Sequence, residues 1–246
     1  MKAYGIIGFP LTHSFSKQYF TEKIERESIA DAAYHSFPLN TIEEFPFLLR
    51  DNPSLKGLSV TIPYKEQVLQ YITHLSDEVK EIGATNCIKI REGKLTAYNT
   101  DIIGFEQSFV KNLKPNHKKA LILGTGGSSK AVQYVLKKLG IEFLVVSRNE
   151  NAAENFIQYN QITKDILHGY NIIVNATPLG MSPDEETCPI IPYNLLTPHH
   201  YLYDLVYKPA KTLFLQKGEQ QGATIKNGYE MLIIQAEENW RIWNKA

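Results

Sequence analysis

Short apolar runs alternate with amphipathic stretches along this chain. Ala3–Gly8 (AYGIIG) predicts a strand, and Ser16–Ser28 predicts a helix with Tyr19, Phe20 and Ile24 on one face. Tyr34–Phe37 reads as extended, and Thr41–Arg50 as a helix opened by a Thr cap with Glu44 three residues on. Gly57–Ile62 (GLSVTI) is rich in β-formers and stops at Pro63, after which Tyr64–Tyr71 predicts a short helix. Ala84–Ile90 and Lys94–Tyr98 read as strands paired across Arg91-Glu92-Gly93. A helix over Ile103–Leu113 and a polar break at Lys114–Lys118 then introduce a second series. It runs as strand Ala120–Leu123, helix Ser128–Leu139, strands Glu142–Ser147, Asn171–Asn175 and Tyr201–Val206, helix Thr212–Gln221, and an amphipathic helix Tyr229–Asn244. Strands alternating with helices imply parallel sheets.

The chain has 246 residues, room for one large or two modest domains. It is 43% hydrophobic and 21% charged, enough apolar material for a core and wrong for disorder. Lys+Arg and Asp+Glu both number 26, so there is no basic excess of the kind a nucleic-acid binder needs. No apolar run approaches the roughly 18 residues of a membrane span, and Met1–Pro10 reads as a strand and turn, not a signal peptide. Two cysteines, Cys87 and Cys188, are too few for a disulfide framework or a Cys-built metal site. The expectation is a cytoplasmic protein with reduced thiols, no metal, and no nucleic-acid or membrane partner.

The segment Ala120–Lys130 (ALILGTGGSSK) is a strand, a Gly-rich turn and a helix start. Glycines permit the tight turn and let a pyrophosphate approach the backbone, while helix N-terminal N–H groups and the helix dipole favour its charge. Ser129 stands where the third glycine of G-x-G-x-x-G is usual, so the strand–turn–helix context carries the reading. An NAD site would place an acid at the end of the next strand to hold the ribose hydroxyls. Arg148 stands there instead, a planar cation suited to a phosphate, which favours NADP.

Three polar clusters follow apolar runs in the first half: Thr12-His13-Ser14-Phe15-Ser16, Ser59 to Lys65, and Asn99-Thr100-Asp101. Each is bland alone. Ser16 and Asp101 read as helix caps, Lys65 as a solvated lysine and His13 as a loop histidine. In order, however, HSFS (13–16), SVTIPYK (59–65), GATN (83–86), NTD (99–101), GTGGSSK (124–130), NATPLGM (175–181) and NGYEML–Q (227–235) resemble the shikimate dehydrogenase family over nearly the whole chain.

The resemblance implies NADPH-dependent reduction of 3-dehydroshikimate to shikimate. It implies an α/β fold of two domains with a cleft between them. An N-terminal substrate domain takes residues 1–101 plus 229–246, and a Rossmann-like NADP-binding domain takes 102–228. By position, the substrate carboxylate falls to Ser14 and Ser16, with Tyr207 near it, and ring hydroxyls fall to Thr61, Lys65, Asn86, Asp101 and Gln235. Lys65 and Asp101 form the catalytic pair. A free lysine titrates near 10.4, so its ammonium is present at neutral pH to protonate the oxygen made negative by hydride addition. NADP is expected on Gly124, Gly126, Gly127, Ser128 and Ser129, with its 2′-phosphate at Ser147, Arg148 and Asn149. Thr177, Leu205 and Gly228 are expected at the nicotinamide end. The protein is expected to act as a monomer or homodimer.

The chain departs from the family pattern at Ser59 (usually Asn), Ile102 (Gly), Asn149 (Thr) and Tyr229-Glu230 (Leu-Gly), and it stops soon after Trp240, where many relatives run on. Ser59 is expected to lose one hydrogen bond at the strand end with little functional effect. A quinate/shikimate dehydrogenase and a non-catalytic NADP- or shikimate-sensing paralogue are the competing readings. Retention of both Lys65 and Asp101 disfavours the sensor, which needs no acid/base pair.

Overall fold

The structure is a computed structural model that describes residues 1–11, 15–149 and 154–245. The chain divides into two compact units, Met1–Asp101 with Ile234–Ala246, and Ile102–Ile233. The division falls inside the last helix, whose opening residues, Tyr229 to Ile233, group with the second unit.

In unit 1, β1 (Lys2–Gly8), β2 (Ala32–Pro38), β3 (Leu55–Val60), β4 (His74–Leu75), β5 (Cys87–Arg91) and β6 (Lys94–Tyr98) form a six-stranded sheet in the order β2-β1-β3-β5-β6-β4. β1 is almost wholly buried and runs parallel to both β2 and β3. The sheet is mixed: β5 runs antiparallel to β3 and β6, and with β6 it forms the pair expected across Arg91-Glu92-Gly93. The cause is local. Arg91 pairs with Lys94 across a two-residue turn with Glu92 and Gly93 both at positive φ, the geometry of a tight hairpin.

Helices α1 (Phe15–Arg26), α2 (Phe45–Asp51), α3 (Tyr64–Gln67) and α4 (Asp77–Ile82) belong to this unit. The expected Thr41 cap does not form. Pro46 has no N–H for the Ile42 carbonyl, so a 3₁₀ turn, Ile42–Glu44, precedes α2 and the Thr41 side chain makes no cap bond. Glu44 instead accepts from the Asn40 backbone N–H at 3.3 Å.

Unit 2 has a six-stranded sheet of β7 (Lys119–Leu123), β8 (Glu142–Ser147), β9 (Phe156–Gln158), β10 (Ile172–Asn175), β11 (Tyr201–Asp204) and β12 (Thr224–Lys226). Its order is β12-β11-β10-β7-β8-β9 and every pairing is parallel. Counted within the unit, this is the 3-2-1-4-5-6 order of a doubly wound dinucleotide-binding sheet. β7, β10 and β11 have no exposed residue, as strands covered on both faces require. Helices α5 (Asp101–Phe109), α6 (Gly127–Lys138), α7 (Lys164–Gly169) and α8 (Leu213–Gln220) connect the strands, and α9 (Tyr229–Asn244) closes the chain. Among the described residues no helix is long and apolar enough to cross a membrane.

α9 is fixed at both ends. Trp240 and Trp243 pack with Tyr4, Phe20 and Tyr34 in the core of unit 1, with the Tyr4 and Trp243 rings 5.3 Å apart. The Trp243 indole N–H donates to the Ile88 carbonyl at 3.1 Å. In unit 2, Glu230 accepts from Lys226 Nζ at 2.5 Å, from Lys111 Nζ, and from Ser108 Oγ at 3.3 Å. These lysines hold the Glu230 carboxyl at about 2, below its ordinary value. A carboxyl depressed on folding stabilises above its unfolded pKa, near 4.3, and that contribution drains away as pH falls from there through about 2. Glu230→Gln is therefore expected to flatten the acid limb of stability. Denaturant midpoints measured at pH 6, 4 and 3 should converge between variant and parent as pH falls; a constant offset contradicts the assignment.

Candidate active site

Lys65, Asp101, Asn86 and Gln235 converge in unit 1 from four places in the chain. Lys65 lies in α3, directly after the turn that ends β3, and Asp101 opens α5. Lys65 Nζ donates to Asp101 Oδ2 at 2.6 Å, with the two side chains 14% and 9% exposed. Asn86 Nδ2 donates to Asp101 Oδ1 at 2.8 Å. Both carboxylate oxygens are thus engaged, which fixes the plane of the group and the direction in which the lysine is drawn. Asn86 precedes β5, and Gln235 arrives on α9, its Oε1 3.3 Å from Asn86 Nδ2.

Behind these four lies a second set of groups, of which sequence reading does not single out Asn239 or the Tyr34 hydroxyl. Thr100 N–H donates to Asn86 Oδ1 at 2.7 Å, and Thr100 Oγ1 donates to Asn239 Oδ1 at 2.7 Å. Asn239 Nδ2 lies 3.4 Å from both Gln235 Oε1 and Ser59 Oγ. Tyr34 OH donates to Ser59 Oγ at 2.9 Å and also bonds the Ser16 hydroxyl; burial pushes its phenol well up. Ser59 therefore has two donors in place of the bond it is expected to lose, because α9 brings Asn239 to it. The local signal for Asn239 is an Asn four residues after Gln235, one turn along the same helix face.

Thr61 stands at the end of β3, its N–H on the Ile7 carbonyl at 3.0 Å. Ser14 lies outside the described residues. Tyr207 falls in unit 2, and burial raises its phenol.

Unit 2 gathers the second constellation after β7, β8, β10 and β11. Gly124 ends the first strand at φ +108°, in the left-handed region, and a Cβ there would lie 3.0 Å from Thr177 Cγ2 and 3.1 Å from the Ala176 carbonyl oxygen. The loops after β7 and β10 are therefore neighbours at the point where strand order reverses, where such sheets bind ligands. A Cβ on Gly126 would meet nothing within 4 Å, so open space lies over the turn. Gly127 then starts the 12-residue helix α6, whose first N–H groups have no partner within the helix. Turn, space and donors fit a dinucleotide pyrophosphate. Ser129 is buried, and its hydroxyl donates to the Gly124 carbonyl at 2.7 Å. It braces the turn at the position where a third glycine would allow close helix–strand packing.

Ser147, Arg148 and Asn149 follow β8. Ser147 Oγ accepts from Asn149 N–H at 3.1 Å, and Arg148 and Asn149 are exposed. Thr177 is held by Asn175, whose Oδ1 takes the Thr177 hydroxyl at 2.6 Å and its N–H at 3.1 Å. Asn175 Nδ2 donates in turn to Asp204 Oδ1 at 2.9 Å, and Thr212 Oγ1 donates to Asp204 Oδ2 at 2.5 Å. Burial outweighs these donors and raises the Asp204 carboxyl to about 7. Gly228 touches Leu205 backbone to backbone: a Cβ would run into the Leu205 carbonyl oxygen, so only glycine fits. Among the described residues no group of three or more His, Cys, Asp or Glu is placed to hold a metal ion.

Residues 6–88 match the family profile described as shikimate dehydrogenase substrate binding domain. A shikimate dehydrogenase (NADP(+)) of Caldicellulosiruptor bescii is 36% identical over 261 residues, covering 99% of this chain and 89% of that protein. Among solved structures, shikimate dehydrogenase 1 from Peptoclostridium difficile superposes with a TM-score of 0.87 at 35% identity, covering 99% of this chain and 91% of that one. The Thermus thermophilus shikimate 5-dehydrogenase, solved with NADP(H) and shikimate, gives a TM-score of 0.87 at 28% identity, covering 99% and 94%.

Proposed function

Because the chain belongs to the shikimate dehydrogenase family, we propose that it catalyses the reversible NADPH-dependent reduction of 3-dehydroshikimate to shikimate. The observation that carries the reading is the Lys65–Asp101 pair, 2.6 Å apart and largely buried, with Asn86 on the second carboxylate oxygen. When bound, NADPH supplies the hydride. Lys65 supplies the proton: its ammonium donates to the ketone oxygen as that oxygen becomes the shikimate hydroxyl. Asp101 takes one ammonium hydrogen, so the lysine is aimed before substrate arrives. In the oxidation direction the neutral amine accepts the proton back. Asn86 and Gln235 offer amide groups to ring hydroxyls, and Thr61 and the Ser14/Ser16 hydroxyls complete the substrate contacts. Tyr207 is assigned near the carboxylate.

The residues of unit 2 would hold NADP through Gly124, Gly126, Gly127 and Ser128 at the pyrophosphate. Ser147, Arg148 and Asn149 would take the 2′-phosphate, and Thr177, Leu205 and Gly228 the nicotinamide end. We read the protein as a cytoplasmic enzyme of small molecules, working as monomer or homodimer.

An activity matrix of shikimate or quinate against NADP⁺ or NAD⁺ tests the reading. Shikimate with NADP⁺ is expected to give the highest kcat/KM. A quinate preference would move the protein to the quinate-type class, and no turnover with either substrate would leave the sensor reading.

A further inference from the structure

A chain of hydrogen bonds links the amide of Asn239 to the groups assigned to the substrate, and it has a fixed direction. Asn86 Nδ2 lies 3.0 Å from Thr100 Oγ1, while the Thr100 N–H donates to Asn86 Oδ1 at 2.7 Å. The backbone N–H is a donor only, so it fixes which end of the Asn86 amide is oxygen. The Thr100 hydroxyl has one proton, and its shortest acceptor is Asn239 Oδ1 at 2.7 Å. That sets the Asn239 amide in turn. Its nitrogen faces Gln235 Oε1 and Ser59 Oγ, both at 3.4 Å. Gln235 Oε1 thus faces two amide nitrogens, Asn86 Nδ2 at 3.3 Å and Asn239 Nδ2. With the Gln235 oxygen committed inward, its Nε2 donors lie on the other side of the amide.

Asn239 and Thr100 are 0% and 1% exposed, so neither is placed to touch a ligand. Resting on the functional reading above, we infer that Asn239, itself oriented by the Thr100 hydroxyl, is a positioning residue for the substrate: it fixes the amide orientation of Gln235, so that Gln235 presents N–H donors to a ring hydroxyl. An amide turned the wrong way presents an acceptor where a donor is required and leaves a buried group unpaired. That loss is large enough to move substrate affinity about tenfold.

The test uses Asn239→Leu and Thr100→Val, each near in shape to the native residue and stripped of its polar group. Shikimate KM, NADP⁺ KM, kcat and melting temperature are measured for the parent, both variants and the double variant. Shikimate KM is expected to rise about tenfold in each single variant, with NADP⁺ KM within about twofold of the parent. The double variant is expected to rise less than the product of the two, because both act through one chain of bonds. A general loosening of the fold would instead shift kcat and both KM values together, and that result overturns the inference. So does an unchanged shikimate KM. If one variant fails to fold, the other decides between these outcomes. A parent protein that does not oxidise shikimate overturns the functional reading, and this inference with it. An active parent with unmoved variants overturns this inference alone.

Discussion

Lys65→Ala is expected to turn over shikimate about 10²–10⁴-fold more slowly, the usual worth of a positioned general acid or base. Shikimate KM should move far less, because the ring contacts proposed for Asn86, Gln235 and the hydroxyl groups do not involve the lysine. The variant has a structural cost that must be separated from the chemical one. Asp101 is 9% exposed at its side chain and loses its cation, and an uncompensated buried charge costs about 3–5 kcal/mol. Asn86 still donates to Oδ1 at 2.8 Å, which softens that cost. Kinetics should therefore be read beside a melting curve. Asp101→Asn is the companion: it keeps the shape and removes the charge that aims the ammonium. A folded Lys65→Ala protein with near-parental kcat would remove the lysine from the reaction.

Arg148→Ala is expected to raise KM for NADP⁺ by about 10- to 100-fold and to leave NAD⁺ almost unaffected. The magnitude follows from a charge-assisted hydrogen bond, about 1.5–3 kcal/mol, at about 1.4 kcal/mol per tenfold. Arg148 is exposed at the end of β8, next to a turn set by the Ser147 hydroxyl and Asn149 N–H. An exposed arginine that merely faces water would contribute little. Coenzyme preference is therefore the discriminating measurement: an NADP⁺/NAD⁺ ratio unchanged by the substitution would return Arg148 to an ordinary surface residue.

The parts of this fold that are legible in the sequence are those whose signal is short-range. The hairpin of β5 and β6, the Gly-rich turn after β7 and the long amphipathic α9 each announce themselves within a few residues. β4, β9 and β12 have two or three residues each, too few to show a period of two. α4 escapes a reading of periodicity although Ser76 caps it and Gly83 ends it at φ +69°; six residues make less than two turns of pattern. The Lys65–Asp101 pair is visible because its two motifs are distinctive, and Asn86 and Gln235 come with theirs. Asn239 and Ser59 are 180 positions apart, and nothing local links an Asn on a helix to a Ser on a strand. Asp204 is hidden for a different reason: a carboxylate inside a buried strand is unusual, and its role depends on Asn175 and Thr212 arriving beside it.

Residues 102–233 form one uninterrupted compact body, while the other body needs residues 1–101 and then 234–246. On the ribosome, domains generally fold as units as they emerge, so the intervening body has its whole sequence available first. Its companion must wait for residues 234–246, which carry Gln235, Asn239, Trp240 and Trp243. Until that stretch leaves the exit tunnel, the aromatic faces of Tyr4, Phe20 and Tyr34 stay uncovered by the two tryptophans. Synthesis therefore passes through a stage in which residues 102–233 are complete while residues 1–101 still lack the helix segment that finishes their core.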